Sequence, residues 1–262
     1  MSLRSTMTAI LAMGIFCLLS APLDAATVSS LTDNFTADTV DAAKWNTQAA
    51  DFEVGSGTYT ADTTSNADQL TIAGTNTNQS FWGGTTLESV NTFSSSLETT
   101  ITVDRVSLSG AGTAKRSSLW IDQNPSASFL HFAHNHGENG WQWNSNEQGP
   151  TGGGNNIGAF DGFDNDLGAK EMKLVYRPLG GSSAAVDMYL DGVLGATANF
   201  NNWDNSIDFH VRLSGMARQA PNDTVSAVFD NLSATTPIPE PSTFLLAAFG
   251  LLTLLGFTRR RK

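Results

Sequence analysis

The stretch VDMYLDGVLGATANF (186–200) contains the strongest hairpin signal in the chain. Two short alternating runs flank Asp191-Gly192, and Asp-Gly is a preferred pair for a two-residue turn between antiparallel strands. Between residues 27 and 236 no long stretch has helical periodicity, and Gly, Asn, Asp and Ser separate the alternating runs. We therefore predict an all-β fold, with two antiparallel sheets packed as a sandwich.

The other strand candidates show no repeat of fixed period, which argues against a propeller or a solenoid. A single all-β sandwich of about 200 residues is common, so we assign residues 27–236 to one domain. The remaining runs are SLETTITVDRVSLSG (96–110), RSSLWIDQ (116–123), SFLHFAHNH (128–136), GWQWNSN (140–146), KEMKLVYRPLG (170–180), SIDFHVRLSGMAR (206–218) and DTVSAVFDNLSA (223–234).

The beginning of the chain has the pattern of a secretory signal peptide. Arg4 precedes an apolar stretch at 7–21, and the small residues Ala25 and Ala26 follow. We assign residues 1–26 to a signal peptide with a helical apolar part, cleaved near Ala25 or Ala26. The only cysteine of the chain, Cys17, lies inside this segment, so the exported domain would contain no disulfide.

The charge of the exported part excludes one class of partner. Residues 27–239 contain 23 Asp and Glu against nine Lys and Arg, a net charge of 9 − 23 = −14. Nucleic acids are not expected to bind, because phosphate recognition depends on clustered positive charge. Calcium or a neutral polymer such as polysaccharide suits this surface better.

The C-terminal stretch TPIPEPSTFLLAAFGLLTLLGFTRRRK (236–262) has a sixteen-residue run without charge at 243–258. With help from its flanks, such a run can form a single transmembrane helix. Cationic residues stay on the cytoplasmic side, which predicts an N-out/C-in anchor through the inner membrane. The cations that would stop transfer are Arg259, Arg260, Arg261 and Lys262.

Residues 237–262 resemble the PEP-CTERM sorting signal of Gram-negative bacteria. The elements that match are Pro239-Glu240-Pro241, the short hydrophobic run and the terminal Arg cluster. The resemblance implies that an exosortase, a membrane protease or transpeptidase, recognises Pro239, Glu240 and Pro241 and cuts near them. The protein would be anchored in the membrane only transiently and would then reach the cell surface or the extracellular space.

The order of the strand candidates resembles the concanavalin A-like lectin and glucanase superfamily, in particular its LamG-like branch. The stretches that resemble it are DNFTADTVDAAKWN (33–46), VDMYLDGVLGAT (186–197) and SAVFDNLSA (226–234). The resemblance implies an antiparallel jelly roll of two curved sheets. Ligands of that superfamily, often sugars, commonly bind to the concave face or to rim loops.

A candidate ligand face follows from strand alternation. If Leu119 and Ile121 face the core, Trp120 lies on the opposite face with Ser118 and Asp122. Indole rings stack on sugars, and polar side chains bind hydroxyl groups. Core packing is the alternative for each tryptophan, and it is favoured for at least one of Trp141 and Trp143. The candidate ligand face comprises Trp120, His131, Trp141, Trp143, Asp208, His210 and Arg212, with Ile207, Phe209, Val211 and Leu213 predicted to point inward.

Two metal sites are weaker hypotheses, and no cofactor is required. Asp161, Asp164 and Asp166 lie within six residues among glycines, a set that suits calcium, although acidic surface turns are common. His134 and His136 would share a strand face and could ligate a metal with Glu138. Solvated turn histidines are the alternative reading of the second pattern.

No catalytic residues emerge from the sequence. The closely spaced strand carboxylates of laminarinase-like hydrolases are missing, and Glu98 and Asp104 lie six residues apart. We therefore expect an exported, exosortase-processed protein that binds extracellular polysaccharide rather than an enzyme. A divergent glycoside hydrolase or lyase, or a structural and adhesive spacer, are the alternatives.

Overall fold

A computed structural model describes residues 29–37, 39–46, 55–62, 68–76, 82–112, 114–123, 128–138, 140–145, 155–157, 159–160, 167–218 and 222–237. The signal helix and the transmembrane helix expected from the sequence lie outside these residues. Within them, no helix is long and apolar enough to cross a membrane.

The described residues form fifteen β-strands in two antiparallel sheets, as the alternation predicted. The strands are β1 (Ser30–Asp33), β2 (Trp45–Asn46), β3 (Gly55–Asp62), β4 (Gln69–Asn76), β5 (Gly83–Ser89), β6 (Thr99–Ser109), β7 (Ala114–Asp122), β8 (Phe129–His136), β9 (Gly140–Ser145), β10 (Asn155–Asn156), β11 (Lys170–Gly180), β12 (Ser183–Leu190), β13 (Val193–Phe200), β14 (His210–Arg218) and β15 (Thr224–Thr235).

The first sheet has eight strands in the order β13-β12-β11-β6-β15-β4-β3, with β1 also paired to β15. The second sheet has seven strands in the order β10-β9-β8-β7-β14-β5-β2. The predicted hairpin is confirmed: Asp191 and Gly192 connect β12 to β13 with positive φ values of 49° and 77°. Both residues of a type I′ turn have positive φ, which Asp-Gly tolerates.

The core lies between the sheets and consists of the side chains on the inward-pointing face of each strand. On β6, for example, Ile101 and Val103 are buried, while Thr100 and Thr102, which alternate with them, are partly exposed. The second sheet behaves differently, because all nine residues of β7 are buried. Its outer face, turned away from the eight-stranded sheet, is therefore also largely closed to solvent.

The two sheets come into backbone contact at three glycines. A Cβ on Gly74 of β4 would lie 2.7 Å from the Cα of Gly84 on β5. A Cβ on Gly215 of β14 would lie 2.8 Å from the carbonyl oxygen of Ile72. Only residues without a Cβ allow this approach, so the glycines set the distance between the sheets where β4 crosses β5 and β14.

The chain leaves the sandwich at one of its two ends, at the last residue of β15. Thr235, the last residue of β15, pairs with Ser30 of β1 and with Thr100 at the beginning of β6. The turn 94–97, the β11–β12 turn and the loop 201–208 lie at the same end. We call this end the exit pole.

A hydrogen-bond network holds the loops of the exit pole together. The hydroxyl of Tyr176 donates to the carbonyl of Ser95 at 2.6 Å, and burial raises its pKa above the usual value. Buried Gln123 donates to the carbonyl of Ile207 at 2.6 Å and to the hydroxyl of Ser95 at 3.1 Å. Asn205 donates to the carbonyl of Gly181 at 2.8 Å, which ties the loop to the β11–β12 turn.

The alternation predicted for SIDFHVRL (206–213) holds from Phe209 onward. Phe209 and the two apolar residues after it on the same face are fully buried, but Ile207 is 37% exposed. Strand pairing explains the difference, because the first bridge on this segment joins Phe209 to Phe93 and Ile207 precedes it in the loop. The prediction that Ile207 points into the core is therefore wrong.

We expect Gly74→Ala to destabilise the domain, because its Cβ would lie 2.7 Å from the Cα of Gly84 in the opposite sheet. Overpacking of this kind costs about 1–3 kcal/mol or more, which lowers Tm by several degrees in a domain of this size. Thermal unfolding of the domain would measure it. Ser107→Ala on β6, half-buried and away from the glycines, is the control and should change stability by about 0.5 kcal/mol or less. Equal Tm values for the two variants would contradict the role of the glycines.

Candidate functional site

The outer face of the seven-stranded sheet brings together most of the polar residues predicted for a ligand site. Register pairs Arg212 of β14 with Trp120 of β7, and Trp120 with His131 of β8. His210 pairs with Asp122 and is half-buried at the edge of this group. The strand register therefore places four members of the candidate ligand face on one side of the sheet: Trp120, His131, His210 and Arg212.

Arg212 forms the ionic centre of the outer face. Its Nε lies 2.5 Å from Oδ2 of Asp122, and its Nη2 pairs with Oε2 of Glu88 on β5. All three side chains are at least nine-tenths buried. Burial raises the pKa of Asp122 to about 6, although the neighbouring Arg212 lowers it. Charge pairing of this kind makes a buried guanidinium tolerable.

An aromatic stack lies beside the ionic centre. The rings of Trp120 and His131 are 3.8 Å apart between centroids, and Trp120 donates its indole N–H to the hydroxyl of Ser214 at 3.0 Å. Burial lowers the pKa of His131 well below its usual value, and the charge of Arg116 adds to the effect. The imidazole is therefore neutral near pH 7, with one nitrogen that donates and one that accepts.

A cation–aromatic contact lies on the same face, at the end away from Asp122. The guanidinium of Arg116 lies 4.0 Å from the ring centroid of Trp82, and its Nε donates to Oδ1 of Asn135 at 2.8 Å. Arg218 approaches the same ring at 6.0 Å and pairs with Glu138 at 3.3 Å. Cations on both β7 and β14 thus contact Trp82.

Between these features, four polar side chains surround the small side chain of Ala133. His131 and Asn135 lie two residues before and after it on β8, and Ser118 and Gln142 pair with it from β7 and β9. All five side chains are at least nine-tenths buried. We call these five residues the Ala133 cluster.

Each polar member of the Ala133 cluster has a buried atom without a hydrogen-bond partner among the described residues. The atoms are Ser118 Oγ, His131 Nε2, Asn135 Nδ2 and Gln142 Oε1. A buried polar group without a partner costs about 1–3 kcal/mol. Four such groups around one alanine are the arrangement expected of a surface that receives hydrogen bonds from a polar ligand or from water.

Trp141 and Trp143 do not belong to this face. Register places them with His134 and Phe132, whose side chains point into the core between the sheets. The ring of Trp141 stacks on His134 at 4.8 Å and packs beside Phe132 at 5.4 Å. Large aromatic rings fill the space between curved sheets, so these two tryptophans are core residues. Asp208 also lies apart, in the loop before β14, where it accepts from Thr92 at 3.4 Å.

The histidine pair predicted as metal ligands is occupied by another contact. His134 is fully buried, and its Nδ1 lies 2.7 Å from Nη1 of Arg105, a cation that a metal ion would have to displace. Glu138 pairs instead with Arg218. Among the described residues no group of three potential ligands could hold a metal. The calcium candidates Asp161, Asp164 and Asp166 lie outside those residues.

A cleft of about 410 Å³ lies between β1 and β15 and is lined by Asp33, Lys44 and Asn231 among others. The carboxylate of Asp33 already accepts from the indole of Trp45 at 2.8 Å and from the backbone N–H of Phe35 at 2.9 Å. Lys44 lies 3.5 Å from the same carboxylate. The charged groups of this cleft are therefore engaged in holding the N-terminal strand.

Sequence reasoning missed Glu88, Asn135 and Gln142. Glu88 lies in GGTTLES (83–89), whose only charge it is, and no pattern there points to a site. Asn135 and Gln142 share the outer face with Trp120 only through the register of three strands. Alternation alone assigns each residue to a side of its own strand but does not align neighbouring strands.

Comparison with known proteins identifies a family motif at the C-terminal end of the chain. Residues 237–262 match the family model of the PEP-CTERM protein-sorting motif. No curated protein sequence matches the chain. The motif implies that the protein is exported and that an exosortase processes it at the membrane.

The sandwich is similar in fold to solved structures of carbohydrate-active proteins. The β-glucanase of Bacillus licheniformis superimposes with a TM-score of 0.54 at 14% identity, over 80% of this chain and 100% of that chain. The alginate lyase Aly36B gives 0.50 at 15% identity, over 80% and 98%. At such identities the similarity shows a shared β-sandwich fold, consistent with the concanavalin A-like resemblance, in a chain that ends in a PEP-CTERM sorting motif.

Proposed function

We propose that this protein is exported, processed by an exosortase and binds polysaccharide through the outer face of its seven-stranded sheet. The observation that carries the binding part is the Ala133 cluster, with its four buried polar atoms that lack partners among the described residues. Hydroxyl groups of a sugar both donate and accept hydrogen bonds, so one sugar unit can serve a hydroxyl, an imidazole and two amides together.

The shape and charge of the face support the same ligand class. Ala133 is the smallest member of its cluster, so the four polar groups converge around a short side chain. Around it, the three cations Arg116, Arg212 and Arg218 are matched by three carboxylates. These are Glu88, Asp122 and Glu138. A face with balanced charge in a domain of net charge −14 is suited to an uncharged or weakly charged polymer.

The structural neighbours point in the same direction. By their names, a β-glucanase and an alginate lyase both act on polysaccharides, and each is covered almost completely by the present sandwich. We propose that the present domain uses its outer face for the same class of polymer, as a component of an extracellular matrix.

Enzymatic cleavage of the same polymers is a second candidate, favoured by one observation. Glu88 and Asp122 lie on the outer face, and burial raises the pKa of Asp122 to about 6, a value that suits an acid or base near neutral pH. Both carboxylates are ion-paired to Arg212, which favours a structural role for them.

Ser118→Ala should weaken binding of the domain (residues 27–237) to its polysaccharide about fivefold, because one hydrogen bond contributes about 1 kcal/mol. Affinity gels that contain β-glucan, an uncharged polymer, would measure the effect. Ser117→Ala is the matched control: it is the next residue on β7, equally buried, and its hydroxyl also lacks a partner among the described residues, but it faces the core. Equal affinity of the two variants, or no binding by the unsubstituted domain, would refute the proposed site.

If the domain is an enzyme, incubation with β-glucan or alginate should release new chain ends, and Asp122→Asn should abolish the release. Asp208→Asn, in the loop before β14, is the control and should leave it unchanged. If the unsubstituted domain releases no new chain ends, the enzymatic alternative is contradicted and the binding proposal is unaffected.

For the sorting part, we expect Glu240→Ala to leave the chain unprocessed, because the change removes the charged member of the recognised tripeptide. Deletion of residues 259–262 should have the same effect by removing the cytoplasmic cations. Immunoblots of cell fractions would show an uncleaved, membrane-bound chain. Glu98→Ala on the exposed surface of the sandwich is the control and should be processed normally. Normal processing of the Glu240 variant would contradict the assignment.

A further inference from the structure

The sandwich is joined to the sorting motif almost without a linker. Thr236, the residue after β15, is only 5% exposed, and its backbone N–H donates to the carbonyl of Ser29 at 2.8 Å. Its hydroxyl also lies 2.8 Å from the hydroxyl of Thr99. The folded domain therefore fixes the chain as far as Thr236, three residues before Pro239.

The length of the intervening chain limits how far the sandwich can stand from a membrane. Six residues, 237–242, separate Thr236 from the uncharged run that begins at Thr243. Even fully extended, the seven steps from Thr236 to Thr243 span about 24 Å. The polar headgroup layer of one leaflet takes up roughly 6 Å of that distance. While the run is in the membrane, Thr236 thus stays within about 18 Å of the lipid surface.

The β11–β12 turn projects from the exit pole by a similar distance. Thr235 and Val175 both pair with Thr100, so they lie at the same level of the eight-stranded sheet. Leu179 lies four residues beyond Val175 on β11, about 13 Å further toward the pole. Leu179 is 57% exposed, and the segment PLGGSSAAV (178–186) contains no charge.

The short tether and the projecting turn together define an interaction surface that is separate from the outer face of the seven-stranded sheet. We propose that, before processing, the exit pole rests against the lipid surface, with the β11–β12 turn in the headgroup layer. The inference rests on the sorting part of the proposed function, since it needs the uncharged run to be in the membrane. It follows that the recognised tripeptide is cut while it lies between the sandwich and the bilayer.

The opposite pole supplies a matched control. Val193, at the beginning of β13, is 54% exposed and apolar like Leu179. Val193 pairs with Leu190, which pairs with Met172 of β11, so Val193 and Met172 lie at the same level of the sheet. Met172 is seven residues before Leu179 on β11, so Val193 lies about 23 Å farther from the exit pole than Leu179 does. A membrane contact that came from exposed apolar residues alone would not distinguish the two positions.

The experiment uses fluorescent labels at single cysteines in the full chain after removal of its signal peptide, residues 27–262. This chain contains no native cysteine, so Leu179→Cys or Val193→Cys alone accepts the label. After reconstitution into phosphatidylcholine vesicles with quencher-bearing headgroups, we expect quenching at position 179 to exceed that at 193 severalfold. Equal quenching at the two positions would overturn the inference.

Two further measurements separate this inference from the sorting proposal. The full chain should float with the vesicles, and a chain ending at Pro237 should not. A full chain that does not float would contradict the membrane anchor, whereas flotation with equal quenching would contradict only the contact of the pole. Insertion of twenty Gly and Ser residues after Pro237 should reduce quenching at 179 to the level at 193, because a flexible linker releases the domain. Unchanged quenching in that variant would show that the short tether is not its cause.

Discussion

The approach of three glycine backbones is the constraint on which the rest of this sandwich depends. Gly74 meets Gly84 across the interface between the sheets, and Gly215 lies against β4. The strands that carry Gly84 and Gly215 also carry Glu88 and Arg212. The contact that sets the spacing of the sheets therefore also fixes the two strands whose outer faces form the ionic centre. A side chain at Gly74 or Gly215 would separate the sheets and shift that centre.

Alternation and turn chemistry were enough to predict the fold class and its clearest hairpin. β6 alternates regularly because only one of its faces is buried, and Asp191-Gly192 adopts the conformation that the pair favours. The candidate site was predicted less completely. The strand register places Trp120, His131 and Arg212 on one face, but Trp141 and Trp143 fill the core.

The physical reason lies in the second sheet. Every residue of β7 is buried, although Arg116, Ser118 and Asp122 lie on its outer face, so polar residues on this strand do not mark a side open to solvent. An aromatic residue on such a strand can belong to either side, and only its register with a neighbour decides. The Ala133 cluster depends on the register of three strands at once, and long-range pairing of that kind leaves no periodic signal in the sequence.

The place of β15 in its sheet has a mechanical consequence. β15 is bonded to β6 on one side and to β4 and β1 on the other, and its last residue leads directly to the sorting motif. If the protein is held at its C-terminal end, a pulling force acts along the length of a central strand. Its hydrogen bonds on both sides are then loaded together in shear, instead of opening one after another as they would at a sheet edge. A domain attached through this strand can bear tension before it unravels, a property useful to any component of a surface layer under flow.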